Sequence, residues 1–107
     1  MTATTVDIKT RPAGTLVIHP YGALDAADAL GLRRTLVQAI RHTRPLRLVM
    51  DLADVQELDP INLGTLAAAC HLGDDHQVAV FLDHSSASLA DLLAAAGVPR
   101  NRLRLIT

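Results

Sequence analysis

Leu58–Asp59–Pro60–Ile61–Asn62–Leu63–Gly64, running on into Thr65–Leu66–Ala67–Ala68–Ala69–Cys70–His71, is written as the start of a buried helix. A carboxylate just ahead of a helix accepts hydrogen bonds from the unpaired first-turn amides and complements the helix dipole, which places Asp59 as the N-cap. Pro60 then falls at the first helical position, where its missing N–H costs nothing. Leu58 and Leu63 take the N′ and N4 positions of a hydrophobic staple. A loop held in this way presents Pro60, Ile61 and Asn62 at a helix N-terminus. Two readings of it stand. Either it is simply a well-built helix start with Ile61 packed into the core, or Ile61 points outward and the tip offers an apolar contact.

Outward from this stretch, short apolar runs alternate with helical patterns. Upstream, Leu46–Arg47–Leu48–Val49–Met50 reads as a strand and residues 51–57 as a loop. Downstream, Val78–Ala79–Val80–Phe81–Leu82 is a continuous apolar run, the pattern of a strand covered on both faces. Nearer the N-terminus, Thr15–Leu16–Val17–Ile18–His19 is β-branched and reads as a buried strand. Val6–Asp7–Ile8 is a short edge strand ahead of a turn at Pro12–Ala13–Gly14. Gly22 ends that region, and Asp25, with Asp28 three residues on, caps a helix running to about Thr43. Ala29, Leu32, Leu36 and Ile40 form its apolar stripe, while Arg33, Arg34, Gln38 and Arg41 turn to solvent. Gly31 inside it costs about 1 kcal/mol relative to alanine, without an evident reason. Ser86 caps a last helix with Leu89, Leu92 and Leu93 inward, Gly97 follows as its C′ residue before Pro99, and residues 103–106 form a final strand. The order β-β-α-β-α-β-α-β, with crossovers through helices, implies mostly parallel neighbours joined by right-handed connections. The expectation is a single α/β domain over residues 1–107, frayed at 1–5, with one central sheet and helices packed on it.

Composition narrows the function. Half of the residues are hydrophobic, enough for a core without disulfides or metal, yet Tyr21 and Phe81 are the only aromatics of the Phe, Trp and Tyr class. That disfavours nucleic-acid binding by base stacking, and a formal net charge of −1 supplies no field for DNA, RNA or an anionic membrane. The lone Cys70 has no internal disulfide partner, which suits a reducing cytoplasm, and it reads as a small buried hydrophobe. No apolar run reaches the roughly 18 residues of a membrane span, and the first residues lack the apolar core of a signal peptide. The chain is therefore expected to be cytoplasmic.

The search for chemistry returns little. His71 and His76 flank Gly73, Asp74 and Asp75 in an expected turn, but no HExxH or CxxC spacing accompanies them, so no metal is expected. His19 reads as a surface or edge residue. No phosphate-binding glycine loop is present. Cys70 and His71, adjacent on a helix, point about 100° apart and do not form a nucleophile–base pair. Arg100, Arg102 and Arg104 form a short basic tail that reads first as a solvated face and second as a contact for an anionic partner. Neither an enzyme activity nor a cofactor is expected.

Taken together, the motifs resemble the STAS domains of anti-sigma-factor antagonists. Gly22–Ala23–Leu24–Asp25 resembles their G-x-L-D helix entry, and Leu48–Val49–Met50–Asp51–Leu52, then Val55, resembles their central strand and loop. The stretch from Asp59 to Gly64 resembles their D-S-S-G-L-G motif, and Ala96–Gly97–Val98 resembles the end of their last helix. The resemblance implies a STAS-like fold with a mixed, mostly parallel sheet. It also implies a non-enzymatic, protein-binding role in transcription regulation and signalling, with an anti-sigma factor or serine-kinase-type ATPase as partner. On it, Asp25, Asp59, Pro60, Ile61, Asn62, Leu63 and Gly64 are the partner-binding residues. In that family the kinase phosphorylates the second serine of the motif, and the added charge of about −1.5 to −2 ends the interaction. Here the matching residue is Ile61, preceded by Pro60, and neither accepts a phosphoryl group. The family's glycine is Asn62, expected to crowd a partner's backbone. The implied binder is non-phosphorylatable at this site. Three alternatives stand beside it: a scaffold subunit of a multi-protein or ATPase-associated complex, a domain that takes a small ligand or lipid, and control moved to another hydroxyl. For the last, Thr65, and Ser86 with its neighbours Ser85 and Ser88, are the candidates. Ser86 reads first as a helix cap, and Thr65 as half-buried.

Overall fold

The β-branched and apolar runs pair as strands, and the capped segments between them wind into helices. The computed structural model of the protein describes residues 6–11 and 14–105. The expected frayed start, Pro12 and Ala13 of the expected turn, and Ile106 of the expected last strand lie outside the described residues. In chain order the strands and α-helices are β1 (Val6–Arg11), β2 (Thr15–Pro20), β3 (Gly22–Leu24), α1 (Ala29–Gln38), β4 (Arg47–Asp51), β5 (Val55–Leu58), α2 (Pro60–Asp75), β6 (Ala79–Ser85), α3 (Ala87–Ala95) and β7 (Leu103–Leu105). Helix α1 is entered through a 3-10 turn at Ala26–Asp28 and continues into a π-helical turn at Ala39–Thr43. Arg44 then closes it in the left-handed region at φ 49°, its N–H donating to the Ala39 carbonyl at 2.8 Å.

The main sheet has the order β1-β2-β4-β6-β7. Strand β1 runs antiparallel to β2, and the remaining pairs are parallel. From β2 onward each crossover advances one place in the same direction. With right-handed connections, this puts α1, α2 and α3 on one face of the sheet. Burial agrees. Leu16 and Ile18 of β2, Leu48 and Met50 of β4, and Val80 and Leu82 of β6 join one core with Leu32, Leu36, Leu66, Cys70 and Leu93 of the helices.

Cover by α-helices is confined to this face, although Val17 and Val49 on the other are buried as well. The other side of the sheet bears Val17, Val49 and Phe81 in register and carries no α-helix among the described residues. The Phe81 ring is instead overlaid by the guanidinium groups of Arg104, 4.4 Å from the ring centre, and Arg102, at 5.3 Å. The expected basic tail is thus a packed and paired feature. Arg102 reaches Asp74 at 2.7 Å, Arg104 reaches Asp83 at 2.9 Å, and Arg100 lies 3.6 Å from Asp91.

Other expectations shift as well. Residues 51–57 are not all loop: β5 pairs in parallel with β3, forming a second, two-stranded sheet. Helix α2 extends through Gly73, Asp74 and Asp75, and the turn falls at His76 and Gln77, the latter at φ 61°. Gly73 is required there, because a Cβ would stand 2.6 Å from both the Val78 carbonyl oxygen and Val80 Cγ2. Leu92 of α3 faces solvent, while Leu93 is fully buried. The end of α3 closes as expected: Val98 N–H donates to Leu93 O, Gly97 N–H donates to Ala94 O, and Gly97 sits at φ 113°.

Candidate partner-binding site

The parallel strands deliver their chain ends to one edge of the sheet, and two helix starts are tied together there. Asp25 accepts from the N–H groups of Ala27 and Asp28, and the Asp28 carboxylate accepts in return from Asp25 N–H, closing a capping box. Asp59 accepts from Ile61 N–H at 3.0 Å with Pro60 at the first helical position, so the expected cap of α2 is present. Strands β3 and β5 end at these two caps. The Asp59 N–H donates across to Leu24 O at 2.8 Å, and Gly22, at φ 82°, donates to Asp54 O.

Asn62 completes the tie. Its Nδ2 donates to Leu24 O at 2.9 Å and to Asp25 O at 2.8 Å, and the residue is wholly buried. The expectation that Asn62 crowds a partner is therefore corrected: its side chain faces inward and fastens the start of α2 to the entry of α1. Leu63 is also buried and belongs to the core, with Leu58 packed against it from outside the cluster. Of the residues grouped from the sequence, Asp25, Pro60, Ile61 and Gly64 are exposed, and Asp59 is half-buried. Ile61 is 54% exposed, which decides between the two readings of the stretch: it does not pack into the core.

Of the candidate hydroxyls, those of Thr65, Ser86 and Ser88 are engaged, while Ser85 Oγ has no hydrogen-bond partner among the described residues. Thr65, one turn past Ile61 and half-buried, donates to Ile61 O at 3.1 Å. Ser86 accepts from Leu89 N–H at 3.2 Å as the cap of α3, with Ser88 Oγ a further 3.2 Å contact. Ser85 is buried. Beside the tip, Asp25, Glu57, Asp59, His84, Ser86 and Ser88 help to line a recess of about 530 Å3. His84 sits at φ 64° where β6 breaks register, and its Nδ1 lies 2.9 Å from Asp51 Oδ1. His19 Nε2 lies 2.7 Å from Asp54. Burial is the largest influence on the Asp51 carboxyl and pushes its pKa up. The hydrogen bonds from His84 and Ala53 N–H and the charges of His84 and His19 together outweigh it, so the pKa falls below its ordinary 3.8. Burial pushes the Cys70 thiol up to about 11, which removes it as a nucleophile near neutral pH. Among the described residues no group of His, Cys, Asp and Glu is arranged to hold a metal ion, and no helix is long and apolar enough to cross a membrane. His71 and His76 reach the carbonyls of Gly97 and Leu72.

The sequence profile of the STAS domain matches residues 6–103. The chain belongs to the STAS family. No curated protein sequence matches it. Among solved structures, this STAS domain is similar to the phosphorylated form of the Bacillus cell fate determinant SpoIIAA. The match has a TM-score of 0.78 at 14% identity, over 96% of this chain and 92% of that one. An anti-sigma factor antagonist from Mycobacterium paratuberculosis gives 0.70 at 23% identity, over 94% and 84%. A murine anion transporter of the Solute Carrier 26 family gives 0.73 at 17% identity, over 92% of this chain but 17% of the transporter. At these identities the likeness is one of fold.

Sequence reasoning missed the inward turn of Asn62 and the pairing of β3 with β5. It also missed Leu30, which stands 56% exposed on α1 beside the tip. The last was detectable, since Leu30 lies off the apolar stripe of its own helix.

Proposed function

We propose that this STAS domain is a non-catalytic regulator that binds an anti-sigma factor or serine-kinase-type ATPase through the tip of α2. On this reading it lacks the off-switch that phosphorylation of that tip supplies elsewhere in the family. The observation that carries the proposal is Ile61, an exposed apolar side chain on a tip braced by the Asp59 cap and the Asn62 bridge. Positions 60 and 61 offer no hydroxyl to a kinase. Full burial of a side chain of this size contributes about 1.5–3 kcal/mol, so covering the exposed half of Ile61 contributes on the order of 1 kcal/mol to a contact. A rigid tip adds to this by leaving little to order on binding.

The test places a charge where the family places a phosphate. A partner captured from the native cell and purified binds the native chain, and Ile61→Asp weakens it by tenfold or more while far-UV circular dichroism is unchanged. Equal binding by native and Ile61→Asp chains contradicts the proposal.

A second reading, a scaffold subunit in a larger assembly, draws on the anion transporter, in which the same fold is a small part of a long chain. A partner that is neither an anti-sigma factor nor an ATPase, recovered in fixed stoichiometry, favours it.

A further inference from the structure

Helices α1 and α2 leave an open groove of about 800 Å3 between their outer faces. Leu30 and Val37 from α1 and Ile61, Ala68 and Leu72 from α2 supply its apolar lining. Leu30 and Ile61, exposed to 56% and 54%, stand at the end nearest the tip. The α1 wall is basic: Arg33 and Arg41 line it, with Arg34 and Arg44 on the same helix and its closing residue. No acidic residue occurs from Ala29 to Arg44, and among the described residues none of these four arginines is in an ion pair. The other arginines with acidic neighbours, Arg100, Arg102 and Arg104, are paired. Asp75 is the one acidic residue lining the groove, at the far end of α2.

We infer that this groove takes an acidic amphipathic helix of a protein partner. The inference rests on the partner-binding reading above and extends it from the tip along the two helices. A ridge of Leu-like side chains fills the floor, and carboxylates on one flank meet Arg33 and Arg41. These stand eight residues apart, about 12 Å along a helix. Matching carboxylates on the incoming helix are therefore spaced by seven or eight residues, two turns, on the side next to α1. The charge pairs lie at the rim, where they set orientation and partner choice more than affinity. An anionic bilayer fits less well. The site is a concavity that receives a ridge, and the adjoining tip carries Asp25, Glu57 and Asp59, which repel such a surface.

The experiment uses three synthetic 18-residue peptides with the full chain. One has a leucine ridge at i, i+4, i+7 and i+11 with glutamates two turns apart on one flank; one replaces those glutamates by lysine; one is a scramble of the first. Fluorescence anisotropy reads affinity, and amide shifts of the labelled chain read position. The glutamate peptide binds at least tenfold tighter than the other two, moves amides of α1 and α2, and weakens as salt rises. The double variant Arg33→Glu/Arg41→Glu keeps the fold and reverses the preference toward the lysine peptide. Equal binding of all three peptides, preference of the native chain for the lysine peptide, or shifts elsewhere on the surface overturn the inference. So does binding to vesicles of 30% phosphatidylserine in place of the peptide, or self-association lost in the double variant. Capture of the native partner separates this failure from that of the tip: if Ile61→Asp loses the partner and the arginine double variant does not, the tip reading stands and the groove reading falls.

Discussion

Asn62 Nδ2 reaches two carbonyls where β3 passes into the entry of α1, and the bond to Leu24 O is buried while that to Asp25 O is partly so. A buried acceptor left without a donor costs about 1–3 kcal/mol, so Asn62→Ala is expected to lower unfolding stability by that order in urea titrations. A change near zero shows that the bridge contributes little. A sequence in isolation places Asn62 on the surface because it sits in the first turn of a helix. Its inward turn depends on the end of β3, 38 residues away in the chain, which no local pattern reports. Asp51 is a second residue whose role appears only in the fold. Its carboxyl titrates below 3.8 when folded, so its contribution to stability is present above the ordinary value and is lost as pH falls through the lowered one. Asp51→Asn is expected to flatten the decline of unfolding stability with acid below about pH 4, near the reference carboxylate value. Stability curves that stay parallel down the acid limb contradict this.

At the scale of elements, capping chemistry was the most legible feature. Asp59 and Ser86 cap the helices assigned to them, and Asp25 caps the 3-10 turn that leads into α1, because a cap is decided within four residues of chain. Helix length was less legible. Gly73–Asp74–Asp75 has turn composition, yet α2 carries through it since β6 packs close against Gly73. Strands β3 and β5, three and four residues long, are too short to show periodicity and exist by pairing with each other. Two glycines make opposite predictions from the same geometry. Nothing lies within 4 Å of a Cβ at Gly31, so no packing accounts for it, and Gly31→Ala is expected to stabilise the protein by about 0.5–1 kcal/mol. Gly73→Ala drives a methyl into the Val78 carbonyl and Val80, and is expected to destabilise it by about 1–3 kcal/mol. Thermal melts that rank the two variants the other way refute the packing argument.

For the whole molecule, the alternation of strands and helices was enough to reach a mostly parallel α/β sheet, and the spacing of weak motifs was enough to reach the family. What remained hidden was the consequence of strand order. Because the sheet grows in one direction from β2 to β7, all helices share a face. A net charge of −1 also concealed a separation of sign, with arginines along α1 and carboxylates at the tip beside it. The central claim is that the STAS domain binds a partner through a tip that a kinase cannot switch. The lifetime of the complex with its captured partner, followed with and without ATP and paired with mass spectrometry of the chain, tests this most directly. The account predicts an unchanged lifetime and no phosphate on the native chain, while Ile61→Ser gains a phosphate at that residue and the complex dissolves. Dissociation of the native complex on adding ATP, with phosphate on Thr65 or Ser86, would contradict it.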